Sequence, residues 1–81
     1  MKNKFVITVV GRDTVGIIAK VCTYLADHQV NILDISQTIV DGYFNMMMIV
    51  DAANAGDVTE MSGDLAALGQ EIGVVIRCQH E

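Results

Sequence analysis

The chain has 81 residues, 52% of them hydrophobic and 19% charged, with a formal net charge of −5. Ten acidic residues against five basic ones leave no cation cluster for a nucleic-acid backbone or an anionic membrane surface. No apolar run approaches the ~20 residues of a membrane span, Met1–Val10 lacks a signal-peptide pattern, and Cys22 and Cys78 match no metal or redox spacing; a single reduced, cytoplasmic domain over residues 1–81 is expected.

Lys4–Val10 (KFVITVV) is rich in β-branched residues on both faces and stops at Gly11, which predicts a central strand. From Val15 to His28, the apolar residues Ile18, Val21, Cys22 and Leu25 recur at i, i+3, i+4 and i+7, the pattern of an amphipathic helix. Asn31–Val40 (NILDISQTIV) has the polar positions of an edge strand. Its register is open, because Leu33, Ile35 and Ile39 alternate on one face while Ile32 and Val40 fall on the other. Asp41-Gly42 is a two-residue hairpin signal, and Tyr43–Val50 (YFNMMMIV) follows as a second apolar strand. Asp57–Gln70 reads as a helix with a stripe of Val58, Met61, Leu65, Leu68 and Ile72, in which Gly63 and Gly69 each cost ~1 kcal/mol relative to Ala. Gly73–Gln79 is the last strand.

The order strand, helix, strand, hairpin, strand, helix, strand holds two β-α-β halves. With right-handed crossovers it specifies an α+β, ferredoxin-like βαββαβ sandwich: a four-stranded antiparallel sheet with two helices on one face. Strands one and three belong in the centre and two and four at the edges. Phe44, Met46, Met48 and Val50 should then face the helices. Tyr43, Asn45, Met47 and Ile49 join Val6, Thr8, Val10 and Val75 on an open face too apolar to be mostly wet. A chain this short buries only ~60–65% of its unfolded surface. A homodimer or higher oligomer is therefore expected. The run Met46-Met47-Met48 is adaptable filling rather than a methionine metal site.

The break between strand one and helix one, VVGRDTVGIIAKV (Val9–Val21), holds the chemistry. Gly11-x4-Gly16 has the glycine spacing of a P-loop, but Ile17 and Ile18 stand where Lys and Ser/Thr are required, and no middle glycine makes a dinucleotide fingerprint. Two readings remain. One is a structural turn with Asp13 as N-cap. The other is a small-ligand pocket in which Gly16 admits close approach to first-turn amides that suit a carboxylate. Asp13 beside those amides would welcome an ammonium, so an α-amino acid satisfies both groups.

The segment from Phe5 to Val50, and more weakly to Cys78, resembles an ACT domain, the small-molecule regulatory module of amino-acid metabolism. The resemblance rests on the Asp13-x-x-Gly16-Ile17 turn, on Asn31-Ile32-x-Asp34-Ile35 at the start of strand two, and on Ser36-Gln37-Thr38. In length and wording the chain is similar to the stand-alone ACT proteins related to the glycine cleavage system transcriptional repressor. The resemblance implies the ferredoxin-like fold, pairing of domains, and an effector, often an amino acid, bound at their interface. Carried over, the candidate ligand-binding residues are Gly11, Arg12, Asp13, Thr14, Val15, Gly16 and Ile17 in the turn, with Asn31 and Ile32 from a partner subunit. Val15 replaces the frequent family proline, which weakens preorganisation of the turn. The family pattern also implies a C-terminal helical tail beyond Gln79-His80-Glu81.

An enzyme needs a positioned base, nucleophile or metal, and the sequence offers none. His28 suits the C-terminal end of helix one as a cap, His80 lies among terminal residues, Cys22 points to the core, and neither thiol has a sequence neighbour that would activate it. Arg12 is the one basic group of the loop and could reach a ligand carboxylate. The acylphosphatase signature, the aromatic pairs of an RNA-binding sheet and the CxxC of metal carriers are all missing. The reading is a non-enzymatic regulatory module without cofactor or metal. Its alternative is a protein–protein interaction module with no small ligand.

Overall fold

The computed structural model describes residues 3–12, 15–53 and 58–80. Four strands, β1 (Lys4–Arg12), β2 (Asn31–Val40), β3 (Tyr43–Asp51) and β4 (Val74–His80), alternate with helices α1 (Ile17–Asp27) and α2 (Val58–Ile72). The strands form one antiparallel sheet in the order β2-β3-β1-β4, so the apolar strands β1 and β3 are central and β2 and β4 are edges. This is the ferredoxin-like arrangement.

Alternation along the central strands sorts the two faces. Phe5, Ile7 and Val9 of β1 and Phe44, Met46, Met48 and Val50 of β3 are buried in one cluster with Ile17, Val21 and Leu25 of α1 and Met61 and Leu65 of α2. The alternate residues Val10, Tyr43, Met47 and Val75 are exposed on the face without helices.

Asp41 and Gly42, with φ 53° and 80°, make the two-residue turn and set Val40 opposite Tyr43. Counting back from that pair places Ile39, Gln37 and Ile35 on the helix side with Phe44, Met46 and Met48. The register then shifts between Ile32 and Asp34, and this bulge returns Ile32 to the same side, opposite Val50. Asp34 pins the irregularity by accepting the Ile35 N–H at 2.9 Å.

Four local expectations are corrected. β1 does not stop at Gly11. It continues to Arg12, and Gly11 pairs with both Phe44 and Val74; a Cβ there would lie 2.8 Å from Val74 Cγ1. The buried line of α1 runs through Ile17, Val21 and Leu25, at i, i+4 and i+8, so Ile18, about 100° round the helix from Ile17, is 37% exposed. Cys78, not Cys22, packs against the core cluster. His80 belongs to β4, pairs with Phe5 and sets its ring edge-on to that phenyl at 4.8 Å.

Candidate functional site

Helix α1 begins abruptly. Gly16 is its N-cap in the left-handed region, with φ 88° and ψ 3°, and its carbonyl accepts the first helical hydrogen bond from Lys20 N–H at 2.9 Å. The amides of Ile17, Ile18 and Ala19 therefore have no partner within the helix, and Gly16 has no side chain to offer them. The first turn contains no acidic residue, so its partial positive charge is unscreened by the helix itself. Gly16 occupies the N-cap position, and the side-chain cap expected of Asp13 falls, with Thr14, outside the described residues.

The first turn of α1 lines a groove of ≈ 430 Å³ between the start of the helix and the edge strand β2. Gly16, Ile17, Ile18 and Ala19 form the helix wall, Gln37 and Ile39 the strand wall, and Phe44 the floor. The helices leave this side of β2 uncovered, and Ile39 remains 55% exposed although it stands on the core face of the sheet. Gln37 is the polar side chain of the lining among the described residues.

Of the residues singled out in the sequence, the fold brings Gly16 and Ile17 into the groove, while Val15 is fully exposed beside it. Gly11 is occupied by β4. Arg12 turns to the other face of the sheet, where its guanidinium carbon lies 5.6 Å from the Tyr43 ring centroid, so it does not point into the groove. Asn31 and Ile32 stand at the far end of β2, opposite Asp51 and Val50. At ~3.3 Å per residue that is roughly 20–25 Å from Gln37 and Ile39. A single chain cannot place Asn31 beside Gly16. Ile18, Ala19, Gln37, Ile39 and Phe44 come into the site only through the tertiary placement of β2.

A second hollow, of ≈ 370 Å³, lies between the helices and is lined by Ala19, Lys20, Thr23, Tyr24, Asp27 and Leu68. Except at Ala19, its α1 walls are mid-helix, where backbone amides are already bonded, so it offers a ligand no comparable donor set. Beside it the Tyr24 hydroxyl donates to Asp64 Oδ2 at 2.9 Å. His28 stacks on the Tyr24 ring at 4.0 Å and donates from Nδ1 to the Tyr24 carbonyl oxygen at 2.9 Å. The histidine thus caps the end of α1. Burial pushes the Cys78 thiol up, which makes it a poor nucleophile at neutral pH. Among the described residues, no three His, Cys, Asp or Glu side chains cluster closely enough to hold a metal, and no helix is long and apolar enough to cross a membrane.

Comparison with known proteins agrees with this architecture. A family model described as ACT domain matches residues 3–79. A UPF0237 protein of Bifidobacterium longum is 71% identical over 80 residues, covering 98% of this chain and 89% of its own length. The solved structure of an ACT domain protein from Streptococcus pneumoniae superposes with a TM-score of 0.84 at 43% identity, over 94% of this chain and 86% of that one. A solved structure described as a glycine cleavage system transcriptional repressor also gives 0.84, at 25% identity, over 94% of this chain and 44% of that one.

Proposed function

Because the chain belongs to the ACT-domain family, a family of regulatory ligand-binding modules, we propose that it is a non-enzymatic effector-binding module that takes a free α-amino acid in the groove at the start of α1. The observation that carries this reading is that the first turn of α1, whose Ile17, Ile18 and Ala19 amides have no partner within the helix, lines that groove. A carboxylate there completes the helix terminus and meets the positive end of its dipole.

The site is closed by a second copy. β2 is an edge strand with one unpaired side. An antiparallel pairing of two β2 strands, centred on their middles, reverses the residue order and carries Asn31 and Ile32 of the second copy toward the Gln37–Ile39 wall. Ile32 of the second copy then stands beside Ile39 on the groove side, Asn31 supplies a carboxamide from the strand end, and Asp13 the counter-charge for the ligand's ammonium. Among the described residues the groove pairs no base with a nucleophile, and the chemistry proposed for it is binding. Homology to a repressor of glycine cleavage is consistent with an effector drawn from amino-acid metabolism.

A melting-temperature screen against the twenty amino acids tests this reading. A saturable rise with one amino acid or a related group supports it, and no rise with any of them contradicts it. The exposed open face, with Val10, Tyr43, Met47 and Val75, favours a second reading in which the chain binds protein alone. That reading gains if every amino acid leaves the melt unmoved.

A further inference from the structure

We propose that the open face of the sheet is a self-complementary interface for a second copy of this chain, stacked face to face about a two-fold axis that runs parallel to the strands between β1 and β3. The surface lies across the sheet from the α1 groove, so the proposal stands apart from the effector reading.

The face can be drawn as rows across the sheet, since residues directly opposite in an antiparallel ladder share a side. One row holds Asn31, Asp51 and Lys4, the next Asp34, Ile49, Val6 and Gln79, and the next Ser36, Met47, Thr8 and Arg77. Beyond these come Thr38, Asn45, Val10 and Val75, and then Val40, Tyr43 and Arg12. On the central strands Val6, Val10, Met47 and Ile49 form an apolar strip, with Lys4, Asp51 and Arg12 at its ends and Asp34 and Arg77 on the edge strands.

A two-fold parallel to the strands keeps each row in place and exchanges β1 with β3 and β2 with β4. Lys4 then faces Asp51 of the second copy, and Asp51 faces its Lys4. Val6 meets Ile49 and Thr8 meets Met47 across the interface, each twice. Arg12, already over Tyr43 within one chain, meets the Tyr43 ring of the other. Asp34 on β2 comes over β4, one row from Arg77, within the reach of an arginine side chain. Lys4, Asp51, Asp34 and Arg77 each come within reach of an opposite charge, and Arg12 meets an aromatic face.

The other face-to-face two-fold, perpendicular to the strands, reverses the rows. It brings Lys4 toward Arg12 and leaves Asp34 and Asp51 without a cation. The charge pattern therefore selects the first axis, as electrostatic complementarity fixes register at an interface.

Its size is also adequate. Four strands ~4.8 Å apart, with about seven paired residues of ~3.3 Å each, present roughly 450 Å² per copy; two copies cover on the order of 1,000 Å², where specific interfaces begin. Met47 and Val75, 51% and 57% exposed in the single chain, are among the apolar groups this removes from water.

Charge reversal tests the pairing on the full chain by sedimentation velocity over a micromolar concentration series. Asp34→Arg alone and Arg77→Asp alone each place two like-charge contacts in the stacked pair, and each should weaken self-association roughly tenfold or more. Mixing the two variants in equal amounts should restore it, because both cross-copy contacts of the mixed pair again join opposite charges. Both positions are exposed, and unchanged melting curves confirm that the variants are folded. Single variants that associate as tightly as the wild type, or a mixture no tighter than its separate components, would overturn the proposal. So would a wild-type chain that stays single across the series.

Discussion

A Cβ at residue 69 would lie 2.7 Å from the carbonyl oxygen of Val74, so the glycine is what lets α2 settle onto β4. Gly63, six residues earlier in the same helix, has nothing within 4 Å of a Cβ built there. Intrinsic helix propensity favours alanine over glycine equally at both places. Gly63→Ala should therefore stabilise the fold by about 0.5–1 kcal/mol, the ordinary helix gain. Gly69→Ala should destabilise it by about 1–3 kcal/mol, because a backbone oxygen cannot step aside as a side chain can. Urea titration of the two variants checks the opposite signs.

The end of α1 permits a second stabilising change. Val30 N–H bonds to Leu25 O at 2.9 Å and Gln29 N–H to Ala26 O at 3.1 Å, the paired bonds of a Schellman cap, with Leu25 and Val30 both buried. The left-handed position of that cap is held by Gln29 at φ 59°, where a side chain is strained. Gln29→Gly should raise stability by about 1 kcal/mol. Thermal or urea melts give the answer, and a loss of stability would show that Gln29 makes contacts worth more than the strain.

Tyr24 gives an alkaline limb to the stability curve. Burial first, then its hydrogen bond to Asp64 and the charges of Asp64 and Glu60, push its pKa above the usual tyrosine range. A raised folded pKa means that the fold favours the neutral phenol. Its contribution is present in full below about pH 10, and is lost as pH climbs above the unfolded value toward the folded one. Tyr24→Phe should cost about 1 kcal/mol at pH 8. The gap between wild type and variant should narrow as pH rises beyond 10. Paired denaturation curves from pH 8 to pH 11 measure both quantities.

Gly16 is better tested by shape than by bulk. Open space surrounds a Cβ there, but its φ of 88° penalises one. Gly16→Ala should cost about 1–2 kcal/mol in stability, and Gly16→Asn less. Ile39→Trp, on the exposed strand wall, should fill the groove with little loss of stability and abolish the amino-acid-dependent rise in melting temperature. Asn31→Ala should lower affinity by ~10- to 150-fold, the worth of one hydrogen bond to a charged group. Calorimetry separates these outcomes; an Ile39→Trp variant that binds normally would move the site elsewhere.

The architecture was legible in the sequence because hydrophobic period and turn chemistry agree. Asp41-Gly42 marks the hairpin, and alternation on β3 assigns Phe44, Met46, Met48 and Val50 to the core. The register of β2 was hidden by the bulge beside Leu33, which lets Ile32 and Ile35 share a face despite their odd spacing. Extending the turn register backwards would have recovered Gln37 and Ile39 as neighbours of Met46 and Phe44. Their meeting with Gly16 could not be read locally, since it depends on where α1 crosses the sheet. Arg12 lies on the open face because β1 runs one residue past Gly11 and strand alternation turns its side chain away from the groove.

The central claim is that the first-turn amides of α1 receive a carboxylate. Amide chemical shifts of ¹⁵N-labelled protein, titrated with the amino acid that most raises the melting temperature, report those groups one by one. Ile17, Ile18 and Ala19 should move furthest, with Gln37 and Asn31 following and the amides of Thr23, Tyr24, Asp27 and Leu68 in the α1–α2 hollow staying still. Saturating shifts that leave Ile17, Ile18 and Ala19 unmoved would contradict the claim.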